Sequence, residues 1–157
     1  MNVFSKTLKT YKEIPIKGCR DIRFSNGGHL FACTNQNKIS VYKFYTAEMP
    51  PEYNFDRAHI GKVKCIQWLD DDSGFISGGY DANIFLWKLH VDPNPSKEQK
   101  ESNPVFEYKQ KNVIFSCVAY KPETKYSIYA VGTDKTLKEI EGGKEKFPRY
   151  ESNVNIS

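Results

Sequence analysis

Long apolar runs are missing from this sequence. A helix that crosses a bilayer needs about 18 or more apolar residues in succession, and the 157 residues hold no such stretch, which excludes a helical transmembrane span. Close cysteine pairs are also absent: Cys19, Cys33, Cys65 and Cys117 are separated by 14, 32 and 52 residues. That leaves neither a CxxC motif nor a zinc-ribbon spacing. Each cysteine lies in an apolar, strand-like neighbourhood, so all four are expected to be small buried residues kept reduced inside the cell. The opening stretch MNVFSKTLKTYKEIPI has no apolar core followed by small residues, and it predicts no secretion signal. Runs of like charge are scarce as well. The 23 Lys and Arg against 19 Asp and Glu leave a scattered net charge of +4, without the basic stripe and interleaved aromatics that nucleic-acid binding requires. Neither nucleic acid nor a membrane is an expected partner.

What the sequence does have is a repeat. At 39% apolar and 14% aromatic it has the balance of one globular domain. CRDIRF (19–24), VKCIQW (63–68) and FSCVAY (115–120) align on Ile22, Ile66 and Val118, and each ends two residues later on Phe24, Trp68 or Tyr120. A turn follows each (SNGGH, LDDDSG, KPETK), then a short apolar strand (LFACT, FISGG, IYAVG). After a second turn come KISVY (38–42), NIFLW (83–87) and TLKEI (136–140). From Ile39 to Ile84 is 45 residues and from Ile84 to Leu137 is 53, the excess lying in DPNPSKEQKESNP (92–104), whose prolines and charges predict an exposed insertion.

A period of about 40 to 45 is that of a four-stranded propeller blade. The sequence therefore predicts an all-β fold of about three blades over residues 1–157, at about 17–56, 57–112 and 113–151. Such an arc is an incomplete ring that needs further blades or partner chains. Four segments, SKTLKTYKEI, PEYNFD, VFEYKQK and KFPRYES, are expected to be outer edge strands, polar and short because an unpaired edge must resist pairing with another chain.

In the second copy His59 stands four residues before Val63, Ser77 four before Asp81, and Asp81 six before Trp87. This pattern resembles the WD-repeat (WD40) family. The resemblance implies that Asp81 accepts from the backbone and from His59, that His59 bonds Ser77, and that Ser77 receives the indole N–H of Trp87. A buried indole or imidazole N–H needs a partner, and a fully satisfied network rigidifies its surroundings. The other copies depart from the pattern. The first has Gln36 in the place of Asp81 and Tyr42 in the place of the Trp; the third keeps Asp134 but has Ala130 for the Ser and Ile140 for the Trp. Blades one and three are therefore expected to rely more on apolar packing.

No residue set points to catalysis. His59, Asp81 and Ser77 can be drawn as a nucleophilic triad, but the blade network accounts for all three, and Ser77 falls inside a strand rather than on an exposed elbow. His29 and His90 lie beside turns without ligand spacing, and are expected at the surface. Asp70, Asp71 and Asp72 fill a turn slot rather than a D-x-D-x-D-G calcium loop. The glycine pairs at 27–28 and 142–143 lack the Lys and the spacing of a phosphate loop. No catalytic residue, cofactor or metal is expected.

The stretches CRDIRFSNGGHLFA (19–32), DDSGFISGGYDANIFLW (71–87) and AVGTDKTLKEI (130–140) look like consecutive blades of the axonemal family of cilia- and flagella-associated protein 57. The TLKEI ending in place of a Trp is the most distinctive element of the likeness, which covers roughly residues 13–140. It implies a piece or a short relative of a protein with two tandem propellers followed by a coiled coil. It further implies a scaffold of the ciliary axoneme, cytoskeletal and cytoplasmic, with inner dynein arms, the neighbouring regulatory complex and doublet microtubules as partners. A generic cytosolic WD-repeat adaptor that binds a peptide or protein is the alternative reading.

Overall fold

The computed structural model describes residues 7–45, 51–89, 103–121, 127–141 and 144–151. These residues form twelve strands and no helix. The first four are β1 (Asp21–Phe24), β2 (Leu30–Asn35), β3 (Lys38–Lys43) and β4 (Tyr53–Phe55). The next are β5 (Val63–Trp68), β6 (Gly74–Gly79), β7 (Asn83–Lys88) and β8 (Phe106–Lys109). The last are β9 (Phe115–Tyr120), β10 (Ser127–Gly132), β11 (Thr136–Glu141) and β12 (Lys144–Glu151). In sequence order they make three four-stranded antiparallel sheets, each a simple meander. β-branched and aromatic side chains suit a pleated surface covered on both sides, and β2, β6 and β7 are buried at nearly every position.

The turn between the second and third strand of each sheet holds one non-glycine residue in the left-handed region, at φ 56° for Gln36, 65° for Ala82 and 60° for Lys135. That conformation is uncommon outside glycine; Ala82 and Lys135 take it at the same place, last in a three-residue turn, whereas Gln36 is the first of a two-residue turn. The first strands converge: β1 lies against β5 and β5 against β9, while β4, β8 and β12 form the far edges. The sheets thus fan outward as propeller blades do, in an arc rather than a closed ring.

Two apolar layers fill the gaps. Leu30, Ala32, Ile39 and Val41 of the first sheet meet Ile66, Trp68, Phe75 and Trp87 of the second. Ile76, Ile84 and Leu86 on the other face of the second sheet meet Val118, Ile128, Ala130 and Ile140 of the third. Phe31, Cys33 and Tyr42 point away from the second sheet and form a separate cluster, partly covered by Ile14 and Ile16.

Two sequence expectations need correction, and a third needs an addition. SKTLKTYKEI is not an edge strand: its described residues 7–14 have no regular structure. Pro15 has no N–H for a ladder, the Ile16 N–H donates to the Ile14 carbonyl at 2.9 Å in a tight turn, and both isoleucines cover the first sheet's outer face instead. The cysteines are not uniformly buried: Cys33 is buried and Cys65 half-buried, but Cys19 and Cys117 are exposed. Cys19 precedes β1, and Cys117 occupies in the third sheet the slot that Cys65 fills in the second, where the next sheet provides cover. The third sheet has Ala130 and Ile140 in the apolar core where the second has Ser77 and Trp87, and it adds a buried polar group that the sequence reading did not foresee. Buried Lys138 places its ammonium on the Asp134 carboxylate and the Thr136 hydroxyl, and Thr136 donates to Asp134 at 2.8 Å.

β4 and β8 fall within two of the other expected edge segments, and β12 overlaps the third, starting two residues before KFPRYES. Against the expectation of short edges, β12 runs for 8 residues. It carries Pro148, and residues 147–149 bulge opposite Lys138, as suits proline on an edge. The insertion at 92–104 lies almost wholly outside the described residues, as do His90 and most of the KPETK turn.

Candidate functional site

The second sheet brings His59, Ser77, Asp81 and Trp87 together. Ser77 lies in β6 and Trp87 in β7, two residues out of register on adjacent strands and so on one face, because Phe75 is the residue opposite Trp87. The Trp87 indole donates to Ser77 Oγ at 2.8 Å, and Ser77 Oγ lies 2.7 Å from His59 Nε2. His59 Nδ1 is 2.9 Å from Asp81 Oδ1. A carboxylate only accepts, so Nδ1 carries the proton, Nε2 accepts from the Ser77 hydroxyl, and that hydroxyl accepts from Trp87. Every donor points one way along the chain.

Asp81 is anchored further by the N–H of Ile60 at 2.9 Å and of Asn83 at 3.3 Å. Burial alone would push its carboxyl up, but the His59 contact and these backbone donors outweigh burial and hold it below the usual carboxylate range. Room for the imidazole comes from Gly79, where a Cβ would stand 2.6 Å from His59 Nδ1. The network is wrapped in aromatic rings: Phe85 lies 4.8 Å from His59, and Phe55 of the first sheet 5.0 Å from Trp87, centroid to centroid. His59 and Ser77 are 2% and 0% exposed. A serine so enclosed cannot meet a substrate, and the arrangement does the work of a brace.

In the first sheet Cys33 and Tyr42 take the corresponding slots, with Phe31 and Tyr42 stacked at 5.2 Å. Burial, with Cys19 close by, pushes the Cys33 thiol up to about 12.

Sequence reasoning missed the contacts that tie one sheet to the next. Trp68 donates its indole N–H to the Arg23 carbonyl at 2.9 Å. Asp72, expected only as a turn residue, accepts from the N–H groups of Asn26 and Gly27, each at 2.7 Å, and from the Asn26 amide at 3.0 Å. The Asn26 amide also donates to the Leu69 carbonyl at 2.7 Å. His29 is exposed as expected, but its ring sits 3.7 Å from Asp72. Nothing in the sequence singles out Asp72 from Asp70 and Asp71; the structure does, placing it at φ 54°. No group of His, Cys, Asp or Glu able to hold a metal occurs among the described residues.

Residues 51–88 match the family model described as WD domain, G-beta repeat. The chain is similar to cilia- and flagella-associated protein 57 A of Tetrahymena thermophila, 43% identical over 99 residues, 63% of this chain and 7% of that protein. It is similar to cilia- and flagella-associated protein 57 C of the same organism, 41% identical over 134 residues, 82% of this chain and 10% of that protein. It is likewise similar to the Mus musculus cilia- and flagella-associated protein 57, 35% identical over 140 residues, 89% of this chain and 10% of that protein. The chain thus spans 7 to 10% of the length of these relatives.

Proposed function

Because the chain belongs to the WD-repeat family of cilia- and flagella-associated protein 57, we propose that it works as a non-catalytic scaffold in the cilium, a set of propeller blades that holds partner proteins on the axoneme. The observation that carries this reading is the breadth of the likeness. It extends over 89% of the chain with the mouse relative, through all three sheets, and not just over the one repeat that any WD-repeat protein would match. The buried brace of His59, Ser77, Asp81 and Trp87 supports a rigid platform. Inner dynein arms, the neighbouring regulatory complex and the doublet microtubule are the proposed partners, and further blades of the same protein or of a partner complete the ring.

Expression of the tagged full-length protein in ciliated cells tests this. It should lie along the axoneme and stay there after detergent strips the ciliary membrane. A diffuse cytosolic signal that washes out would favour a general WD-repeat adaptor instead.

A further inference from the structure

Between the first and second sheets, at the end that carries the β2–β3 and β6–β7 turns, lies a cleft of about 500 Å³. Its rim holds three cations, Arg20, Lys62 and Lys64, with Tyr80 beside them. Arg20, immediately before β1, and Lys64, in β5, each stand two residues before the aligned Ile22 and Ile66. Lys64 is the extra residue of a bulge in β5, where Val63 opposes Gly79 and Cys65 opposes Gly78; bulges often re-aim a side chain in this way. Lys62 comes from the connection into β5.

The walls are fixed by backbone hydrogen bonds. The Tyr80 N–H donates to the Lys62 carbonyl at 2.9 Å, Val63 to Gln36 at 2.8 Å, and Arg20 to Thr34 at 2.9 Å. Among the described residues none of the three cations is held in an ion pair. The one carboxylate on the rim, Asp21, is engaged by the Ile22 N–H at 3.0 Å and by Arg23 at 3.5 Å. Tyr80 is 49% exposed, with its ring and hydroxyl available.

We propose that this cleft binds an acidic, carboxylate-rich peptide segment of a partner protein. Three unpaired cations in a small preformed cleft supply charge complementarity, which directs which partner docks and in what register, and the tyrosine adds a rigid amphipathic contact. A nucleic acid fits less well, since the charge is a compact cluster with one aromatic rather than a stripe that follows a phosphate backbone. The proposal does not rest on the ciliary reading, because it follows from the cleft alone.

The test is fluorescence anisotropy of a labelled oligoglutamate peptide with the full-length protein in physiological salt. The combined variant Arg20→Gln, Lys62→Gln and Lys64→Gln removes the charge without burying anything and should keep the wild-type melting temperature. It should weaken binding roughly tenfold or more, the sum of three screened charge pairs, while Lys109→Gln with Lys111→Gln leaves binding within about twofold. Tyr80→Ala, with every cation kept, should weaken it several-fold. The idea is overturned if the wild type does not bind the peptide, if the triple variant binds as well as wild type, or if the Lys109 and Lys111 control loses as much. It is also overturned if a single-stranded RNA oligomer outcompetes the peptide through the same three cations.

Discussion

Trp68 of β5 donates its indole N–H to the main-chain carbonyl of Arg23 in β1, 2.9 Å away, across the boundary between two sheets. At the same boundary Asp72 accepts from the Asn26 and Gly27 amides at 2.7 Å. The first and second blades are therefore joined by directed polar contacts as well as by apolar packing. Such contacts fix the angle between sheets, which a greasy layer alone leaves loose.

Asp72→Ala removes the charged acceptor and leaves its left-handed backbone without a tolerant side chain. It should destabilise the protein by about 1 to 3 kcal/mol. Asp72→Asn keeps a residue suited to that backbone and should cost less. Hydrogen exchange at the Gly27 amide checks the mechanism: protection should fall in both variants, and unchanged protection would contradict the clamp.

Within the second sheet, Trp87→Ala should cost about 3 to 5 kcal/mol, as a large buried aromatic deletion. His59→Ala should cost about 1 to 3 kcal/mol, because it leaves Ser77 and Asp81 with buried unmet partners. Gly79→Ala should cost an amount comparable to His59→Ala, about 1 to 3 kcal/mol, because its methyl overlaps His59. Tyr42→Phe, outside the brace, should cost much less. Denaturant midpoints of the full-length protein measure all four, and Trp87→Ala indistinguishable from wild type would contradict the brace.

The acid response follows from Asp81. Its folded-state pKa is held below the ordinary carboxylate value by His59 and two backbone amides. Its contribution is therefore complete above the unfolded pKa, about 3.9, and is lost as pH falls through the folded value. The stability gap between wild type and Asp81→Asn should be widest near neutral pH and shrink below about pH 4. Urea titrations at neutral and acid pH read this directly; a constant gap would assign the network's strength to something other than the ionised carboxylate.

The thiols should divide into two classes. Burial pushes Cys33 and Cys65 up to about 12, whereas Cys19 and Cys117 are exposed. Since the thiolate is the reactive form, a maleimide should label Cys19 and Cys117 in the native chain, and Cys33 and Cys65 only on unfolding. Cys117 is the informative one, because a further blade packed on the third sheet would protect it.

The spacing of aromatic and apolar residues made the three meanders legible, since strand, turn and strand recur with one period and side chains alternate between faces. The grouping of His59, Ser77, Asp81 and Trp87 was implied by the resemblance of the second repeat to the WD-repeat family, and spacing by itself does not give it. What joins the repeats was not legible. Asp72 acts through a left-handed turn conformation that three consecutive aspartates do not announce, and Trp68 looks like a plain core aromatic beside Phe24 and Tyr120 until its indole meets Arg23. In the third sheet the buried pair of Asp134 and Lys138 also escaped, because it stands four residues apart on a turn and a strand, where simple alternation suggests only surface charge. The first segment was misread because Ile14 and Ile16 suit a strand as well as they suit a cover.

The central claim is that these sheets are blades of a larger ring. The outer face of the first sheet supports it: Ile22, Phe24 and Phe44 are 49%, 50% and 45% exposed and Tyr45 81%, with Phe24 and Phe44 5.3 Å apart, centroid to centroid. Contiguous apolar surface of this kind marks an interface or an aggregation hazard. Sedimentation and calorimetry of residues 1–157 expressed alone is the most direct measurement. The account predicts self-association or binding of a hydrophobic dye, relieved when the neighbouring blades are present; a monomer that melts in one cooperative transition without binding dye would contradict it.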